Sequence, residues 1–204
     1  MCSFLWVVAA CSPKQETDLS RCDRLVVRGP IALVVFRAPL LESGEEVLKL
    51  TADPINLDLA DPDTGEVRLS SDVAASGRLT CNPRGIALYG GAEMVVAELR
   101  GPEVEVRVSG DSRLVVEAIE ADAGLLMLSG QSQARLLGEV SELTIDMSGK
   151  AQADLGELRV QTARLRGRGE SALNLWVTAH LYSDVTDGVA LNVSGDPERS
   201  TLEP

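Results

Sequence analysis

The chain has 204 residues, a hydrophobic content of 45% and a formal charge of -12 at pH 7. This length and apolar content are typical of one folded domain and exclude a wholly disordered chain. The acidic balance repels phosphate backbones and anionic lipid headgroups, so nucleic-acid binding is not expected. Aromatic residues make up only 3% of the chain, so aliphatic side chains must fill most of the core.

The first element is an apolar segment, residues 1–10, that ends in small residues before Cys11. It is shorter than the roughly 20 residues of a membrane-spanning helix, and it ends as an export signal does. Residues 8–11, Val-Ala-Ala-Cys, resemble the lipobox of bacterial lipoproteins, although no Lys or Arg precedes them. The resemblance implies lipidation of Cys11, with residues 11–21 as anchor and polar tether, and Ser12 after the cysteine implies the outer membrane. The alternative is the apolar N terminus of a soluble protein.

Two cysteines, Cys22 and Cys81, remain if Cys2 is removed with the signal and Cys11 is acylated. An even number of cysteines in an exported chain favours a disulfide, which would join residues that flank the N-terminal half. Two separate reduced thiols are the alternative, because a single pair has no spacing signature.

Short runs of alternating apolar and polar residues follow from Leu25 onward, for example at 55–59 and 104–108. This period of two, broken by Gly, Pro, Asn or Asp, predicts strands and turns, including a turn at 61–65. The spacing of the predicted strands is irregular over residues 22–85 and regular over residues 86–196. Residues 198–204 are predicted to form a flexible tail.

A Ser-Gly motif or a close variant recurs through the regular part of the chain. Its glycines are separated by 20, 19, 20 and 19 residues, a step typical of stacked repeats, and they are Gly110, Gly130, Gly149, Gly169 and Gly188. Glycine permits the positive φ that a tight corner requires, so each motif is predicted to be a corner of a coil.

Alignment on these glycines predicts columns of like residues through the core. Two positions after each glycine stand the small residues Ser112, Ser132, Ala151, Ser171 and Ala190. Four positions before stand the apolar residues Val106, Leu126, Ile145 and Leu165. A constant step with a repeated small corner predicts an all-β fold, a right-handed parallel β-helix (β-solenoid) with coils of about 19–20 residues. A β-sandwich is the alternative fold.

Residues 22–197 resemble the GIN domain, a bacterial family also described as an auto-transporter adhesin head domain. The similarity rests on the opening strand at 25–35, the alternation at 48–59, the Ser-Gly repeat and the closing Val-Ser-Gly-Asp-Pro at 193–197. It implies a single β-helical domain in an exported or lipid-anchored envelope protein, with no catalytic residues to transfer. The chain departs from the pattern at 167–169, where Gly-Arg-Gly replaces Ser-Gly.

No catalytic, cofactor-binding or metal-binding motif is recognisable, and no cofactor is predicted. The single histidine, His180, has no partner motif. Ser109, Ser129 and Ser148 recur at the corners, which favours a structural role because catalysis needs one activated serine. A polysaccharide-acting enzyme would need two carboxylates about 5 to 10 Å apart. Candidate carboxylates are those of Asp111, Asp146, Asp154, Asp184 and Asp187, and their different offsets from the glycines place most of them in different columns.

The predicted function is that of a non-catalytic, lipid-anchored envelope protein that presents a rigid wall for binding or adhesion, facing either the periplasm or the exterior. The expected partners are an unknown envelope protein or a glycan, and the membrane through the anchor. A polysaccharide-acting enzyme and an assembly subunit are the alternatives. Self-association through the open ends of the stack is a further expectation. Trp176 and Tyr182, near the C-terminal end, are candidate anchors for a partner, and Trp176 alternatively covers the last coils.

Overall fold

A computed structural model describes residues 15–19, 22–36, 48–53, 56–59, 66–186 and 188–201. The predicted signal segment, Cys11, the predicted turn at 61–65 and Asp187 lie outside these ranges. Within them the protein is all-β. The strands are β1 (Gln15–Leu19), β2 (Arg24–Arg28), β3 (Ile31–Phe36), β4 (Leu48–Asp53), β5 (Asn56–Leu59), β6 (Glu66–Ser70), β7 (Ala75–Thr80), β8 (Gly85–Tyr89), β9 (Glu93–Val96), β10 (Leu99–Gly110), β11 (Arg113–Gly130), β12 (Gln133–Met147), β13 (Gln152–Gly167), β14 (Ala172–Val185), β15 (Ala190–Ser194) and β16 (Glu198–Thr201).

The strands wind into a parallel β-solenoid of about 6 turns. Each long strand pairs in parallel with the next one along the chain, from β10 with β11 through to β13 with β14. Equivalent repeat positions meet, as Val106 does with Leu126 and Leu126 with Ile145. The predicted solenoid is therefore confirmed. Parallel ladders of this kind exclude the β-sandwich, whose sheets are antiparallel.

Each regular coil consists of three straight segments, which we call the first, second and third walls. In β12 buried residues alternate over 133–136 and 142–147, and the alternation is interrupted on either side of 138–140. Since side chains of a straight strand alternate strictly, each interruption marks a bend. The first wall follows a glycine corner, the second wall is the short middle segment, and the third wall leads to the next corner.

The glycine corners lie directly above one another. Gly110, Gly130, Gly149, Gly169 and Gly188 all have positive φ, between 74° and 102°. A Cβ added to Gly149 would lie 2.8 Å from the backbone oxygen of Gly130. Glycine is required at such a corner both for its conformation and for the close approach of the backbone in the preceding coil.

Aliphatic columns fill the interior as the repeat predicts. The column formed by Val106, Leu126, Ile145 and Leu165 is buried, and so are Ser112, Ser132, Ala151 and Ser171 next to the corners. Ala190 differs, since it is exposed and pairs with Ala172 on the outer face. Ala190 stands two residues after Gly188, whereas its partner Ala172 stands three residues after Gly169. Ala190 therefore lies on the outer face instead of continuing the small column.

The N-terminal coils are stacked out of chain order. β2 and β3 lie between β6 and β7 on one side and β8 and β9 on the other. After β3 the chain adds the antiparallel strands β4 and β5 outside the stack and builds the coil of β6 and β7. It then returns past β2 and β3 to begin β8.

We call this out-of-order stacking the N-terminal exchange, and a disulfide joins the points where it begins and ends. Cys22 precedes β2, Cys81 follows β7, and their Cα atoms are 5.9 Å apart. The backbone NH of Arg84 donates to the carbonyl of Asp23 at 2.8 Å, which fixes the return of the chain beside β2. Both cysteines are buried in the core.

Two terminal segments differ from the sequence prediction. Residues 15–19, expected within the polar tether, form β1 and pair antiparallel with β4, whose edge offers unpaired backbone groups. Residues 198–201, expected within the flexible tail, form β16 and continue the third wall beside β14. The backbone groups of β14 are thereby paired at both β15 and β16. In the described ranges no helix is long and apolar enough to cross a membrane.

Candidate binding surfaces

The outer face of each wall carries columns of side chains that run along the solenoid axis. Parallel, in-register coils place equivalent outward residues one above another at roughly the 4.8 Å strand spacing. A chemical group that recurs in the sequence thus becomes a regular row on the surface. The three walls carry rows of different chemistry, and each has a shallow groove.

The third wall carries a groove of charged and serine side chains beside the glycine corners, with a volume of about 510 Å³. In it Arg107, Met127, Asp146 and Arg166 occupy one column, which ends at Asp184 in the last coil. Negative and positive side chains alternate over the last three of these positions. We call this surface the corner groove.

Of the predicted carboxylates that the structure describes, only those of Asp146 and Asp184 share a column, and an arginine occupies the position between them. Asp146 and Asp184 share a column, contrary to the offsets of the sequence, because register shifts between β13 and β14 realign the last coil. Two strand spacings, about 10 Å, separate their positions, and Arg166 occupies the position between them. Asp154 lies on the first wall, and Asp111 is exposed at a corner.

The serines and the histidine are far apart on the same wall. Ser109 and Ser129 are direct partners in the corner column. His180 lies near the opposite end of the third wall, with its Nδ1 3.5 Å from a carboxylate oxygen of Glu198. The six residue steps from His180 to Thr186, at the corner end, correspond to roughly 20 Å of strand. The recurring corner serines are therefore too far from this imidazole to be activated by it.

The second wall carries Trp176, which lies against a neighbouring arginine. The guanidinium of Arg159 is 5.3 Å from the ring centre of Trp176. A Cβ added to Gly195 would lie 3.1 Å from this indole, so the ring covers part of the last coil. The groove here has a volume of about 1000 Å³ and includes the acidic residues Glu120, Asp122, Glu139 and Glu157. Tyr182 lies instead on the third wall, 5.7 Å from the guanidinium of Arg164.

The first wall carries a chain of hydrogen-bonded amides that the sequence did not reveal. Asn192 donates through Nδ2 to Oδ1 of Asn174 at 3.1 Å, and Asn174 donates in the same way to Oδ1 of Asp154 at 3.0 Å. Gln133 and Gln152 form a parallel column beside them. We call these five side chains the amide ladder, although Asp154 contributes a carboxylate. Its groove has a volume of about 660 Å³.

The signal for this ladder is weak in the sequence. Asp154 and Asn174 each stand five positions after a corner glycine, whereas Asn192 stands four positions after Gly188. The shortened last coil restores the alignment, as it does for Ala190. Among the described residues, no group of three or more His, Cys, Asp or Glu side chains is arranged to hold a metal ion.

The three-walled stack of parallel coils places the protein in the class of parallel β-solenoids. Residues 79–197 match the family described as "putative auto-transporter adhesin, head GIN domain". This match spans more than half of the chain, and the chain belongs to that family. No curated protein matches it significantly in sequence.

Solved structures share the fold over nearly the whole chain. A "putative adhesin" from Bacteroides fragilis is 14% identical with a TM-score of 0.67, and the match covers 94% of this chain and 98% of the other chain. A "putative lipid binding protein" from Parabacteroides distasonis is 12% identical with a TM-score of 0.62, covering 92% and 91%. A "putative adhesin" from Parabacteroides merdae is 14% identical with a TM-score of 0.59, covering 93% and 95%. At these identities the likeness establishes the fold.

Proposed function

We propose that this protein is a non-catalytic, lipid-anchored component of the bacterial envelope whose solenoid walls bind an extended partner. The observation that carries the proposal is the in-register stacking of outward side chains along successive coils. Such columns offer the same contact repeatedly along one direction. The adhesin-like family supports an envelope or surface location.

The rigidity of the walls supports binding. Backbone hydrogen bonds join neighbouring coils, and one continuous cluster of buried aliphatic residues runs from β2 to β14. Outward side chains on such a scaffold are held in place before a partner arrives. Less conformational freedom is then lost on association, which favours affinity.

The dispersal of reactive groups supports a non-catalytic role. Asp146 and Asp184 are separated by the Arg166 position, and the corner serines are far from His180. General acid and base chemistry needs such groups within hydrogen-bond reach of one reacting centre. Release of reducing ends from a polysaccharide by the purified full chain, abolished by Asp146→Asn or Asp184→Asn, would overturn the non-catalytic proposal.

The anchor is tested at Cys11 in cells that process lipoproteins. Cys11→Ser is expected to abolish incorporation of labelled fatty acid and to move the protein from the membrane fraction to the soluble fraction. Cys2→Ser is the matched control, since Cys2 lies in the segment that cleavage removes, and it should leave both properties unchanged. Continued lipid labelling and membrane association of Cys11→Ser would overturn the anchor.

Binding is tested with the same cells. Cells that carry the wild-type protein should be retained on at least one of three coated surfaces, namely neutral polysaccharide, acidic polysaccharide or purified envelope protein. Cells carrying Cys11→Ser should be retained no better than cells without the gene. Equal retention of all three strains on every surface would overturn the binding function.

A further inference from the structure

The amide ladder of the first wall has side chains free to meet a ligand. Within the described part of the chain, the side-chain amides of Gln133 and Gln152 make no hydrogen bond. Asn174 and Asn192 are fixed by their ladder bonds, and each still carries unused donor or acceptor capacity. The four amides therefore present a mixture of donors and acceptors to solvent.

The surroundings of the ladder are polar and close to electrical balance. The charged residues that line its groove are Arg113, Arg135 and Asp154. Arg135 lies 3.8 Å from Asp154 and also contacts Glu157, so its charge is largely compensated. The whole chain has a net charge of -12, but this groove is nearly neutral. It is therefore suited to a neutral polar ligand.

The floor of the groove is apolar and low. Ala172 and Ala190 continue the column of Gln133 and Gln152, and Val115 precedes Arg135 in the neighbouring column. All three side chains are short, which leaves room for a flat ligand. A sugar ring has both a polar rim of hydroxyl groups and a face of C–H groups. The ladder can satisfy the hydroxyl groups while the short side chains contact the C–H face.

The periodicity of the ladder fits a polymer. Neighbouring coils are separated by roughly 4.8 Å, which is close to the length that one pyranose adds to an extended polysaccharide. A glycan lying along the solenoid axis would meet one amide at each coil, first Gln133 and Gln152 in one column and then Asn174 and Asn192 in the neighbouring column. The corner groove is less suited to a neutral glycan because positive and negative side chains alternate along it. The second wall is less suited because it is acidic and because Arg159 covers the indole of Trp176.

We infer that the first wall binds an extended neutral glycan, which runs along the axis and hydrogen-bonds to Gln133, Gln152, Asn174 and Asn192. This inference rests on the proposed binding function and names its ligand class. The floor at Ala172 and Ala190 contacts the sugar faces. Arg135 and Asp154 hold the ladder in place through their ion pair and through the bond from Asn174.

The probes are linear hexasaccharides of neutral hexoses and pentoses in α and β linkage, with acidic hexuronic hexasaccharides for comparison. Binding to the full chain in detergent is measured by calorimetry. At least one neutral probe is expected to bind, and shortening it to a disaccharide should weaken binding because fewer coils are contacted. The double variant Gln133→Ala/Gln152→Ala should weaken it about tenfold through the loss of two hydrogen bonds.

Gln131→Ala is the matched control, since Gln131 is exposed at a corner and does not line the groove. It should bind as the wild type does, and thermal unfolding should show both variants folded. Binding of acidic probes alone, no binding of any neutral probe, or an unchanged affinity of the double variant would each overturn the inference. If cells are still retained on envelope protein in those cases, the proposed binding function survives; if they are retained on none of the three surfaces, both proposals fail.

Discussion

The regular coils of residues 99–186 and the N-terminal coils of residues 22–96 have the same core but different connections. In the regular coils each turn stacks on the one before it, so glycine corners and aliphatic columns repeat along the chain. In the N-terminal coils, β2 and β3 are inserted between strands that follow them in sequence. Contacts between successive coils thus suffice to form the regular coils, whereas the N-terminal coils also need contacts between residues distant in sequence.

The ion pairs made by Arg24 illustrate this difference. It lies on the inserted strand β2, 3.9 Å from Glu66 on β6 and 3.9 Å from Glu105 on β10. Gly85 on β8 lies between β2 and β10, and an added Cβ there would come within 3.3 Å of the Arg24 side chain. The glycine therefore allows one arginine to link strands on both sides of the exchange.

The largest effect is expected in the regular coils, at Ala151. Its side chain is 0% exposed in the small column, so Ala151→Arg would place a long charged side chain where no space or partner exists. The free energy of unfolding should fall by about 5 kcal/mol or more, which prevents stable folding. Circular dichroism and denaturant titration measure this loss.

Ala190→Arg is the matched control, because the sequence assigns both alanines to one column and the structure assigns only Ala151 to the core. The exposed Ala190 should accept arginine with a change of about 0.5 kcal/mol or less. Equal destabilisation by the two substitutions would show that the register of the last coil is wrong.

These two alanines show what the sequence could and could not predict. The constant step revealed the corners and the columns, because each coil meets its neighbour in sequence. A coil shorter by one residue moved Ala190 outward and aligned Asn192 with the amide ladder, which offsets from glycine do not reveal. The exchange around β2 left no repeat signal, since its partners are set by long-range pairing. The amide ladder was missed for the further reason that its members are not one residue type.

The next effect concerns the disulfide, which spans the N-terminal exchange. Cys22 and Cys81 are separated by 59 positions, and closing a loop of this length stabilises a protein by about 4 kcal/mol in the chain-entropy model. Cys22→Ala/Cys81→Ala should lower the free energy of unfolding by this amount. Wild-type protein in reductant should behave like the double variant.

Alkylation followed by intact-mass measurement tests the bond directly. Without reduction neither Cys22 nor Cys81 should be modified, and after reduction both should be. Modification of both thiols in the unreduced, unfolded protein would contradict the bridge and leave the exchange to be held by backbone pairing and packing.

Glycine corners allow a smaller and sharper comparison of the two regions. Gly149 in the regular coils and Gly91 in the N-terminal coils have similar φ values, 79° and 84°. A Cβ at Gly149 would lie 2.8 Å from the Gly130 oxygen, whereas a Cβ at Gly91 would have nothing within 4 Å. Gly91→Ala should therefore cost about 1 kcal/mol, the strain of positive φ alone. Gly149→Ala should cost about 2 to 3 kcal/mol, since the coils must also separate. Chemical denaturation of both variants measures the difference, and equal costs would mean that close stacking of the corners contributes nothing.

The smallest effect is expected for ion pairs on the third wall, where the two regions can again be compared. Arg164 is 3.1 Å from Glu142, but both side chains are about half exposed, so solvent screens the pair. Arg164→Met should change the free energy of unfolding by less than about 0.5 kcal/mol. The two carboxylates near Arg24 are more enclosed, with side chains 18% and 31% exposed, and Arg24→Met should cost about 1 kcal/mol. Denaturant titration at low and high salt separates the two cases. A larger loss of unfolding free energy for Arg164→Met than for Arg24→Met would contradict the view that the inserted strand β2 depends on the ion pairs of Arg24.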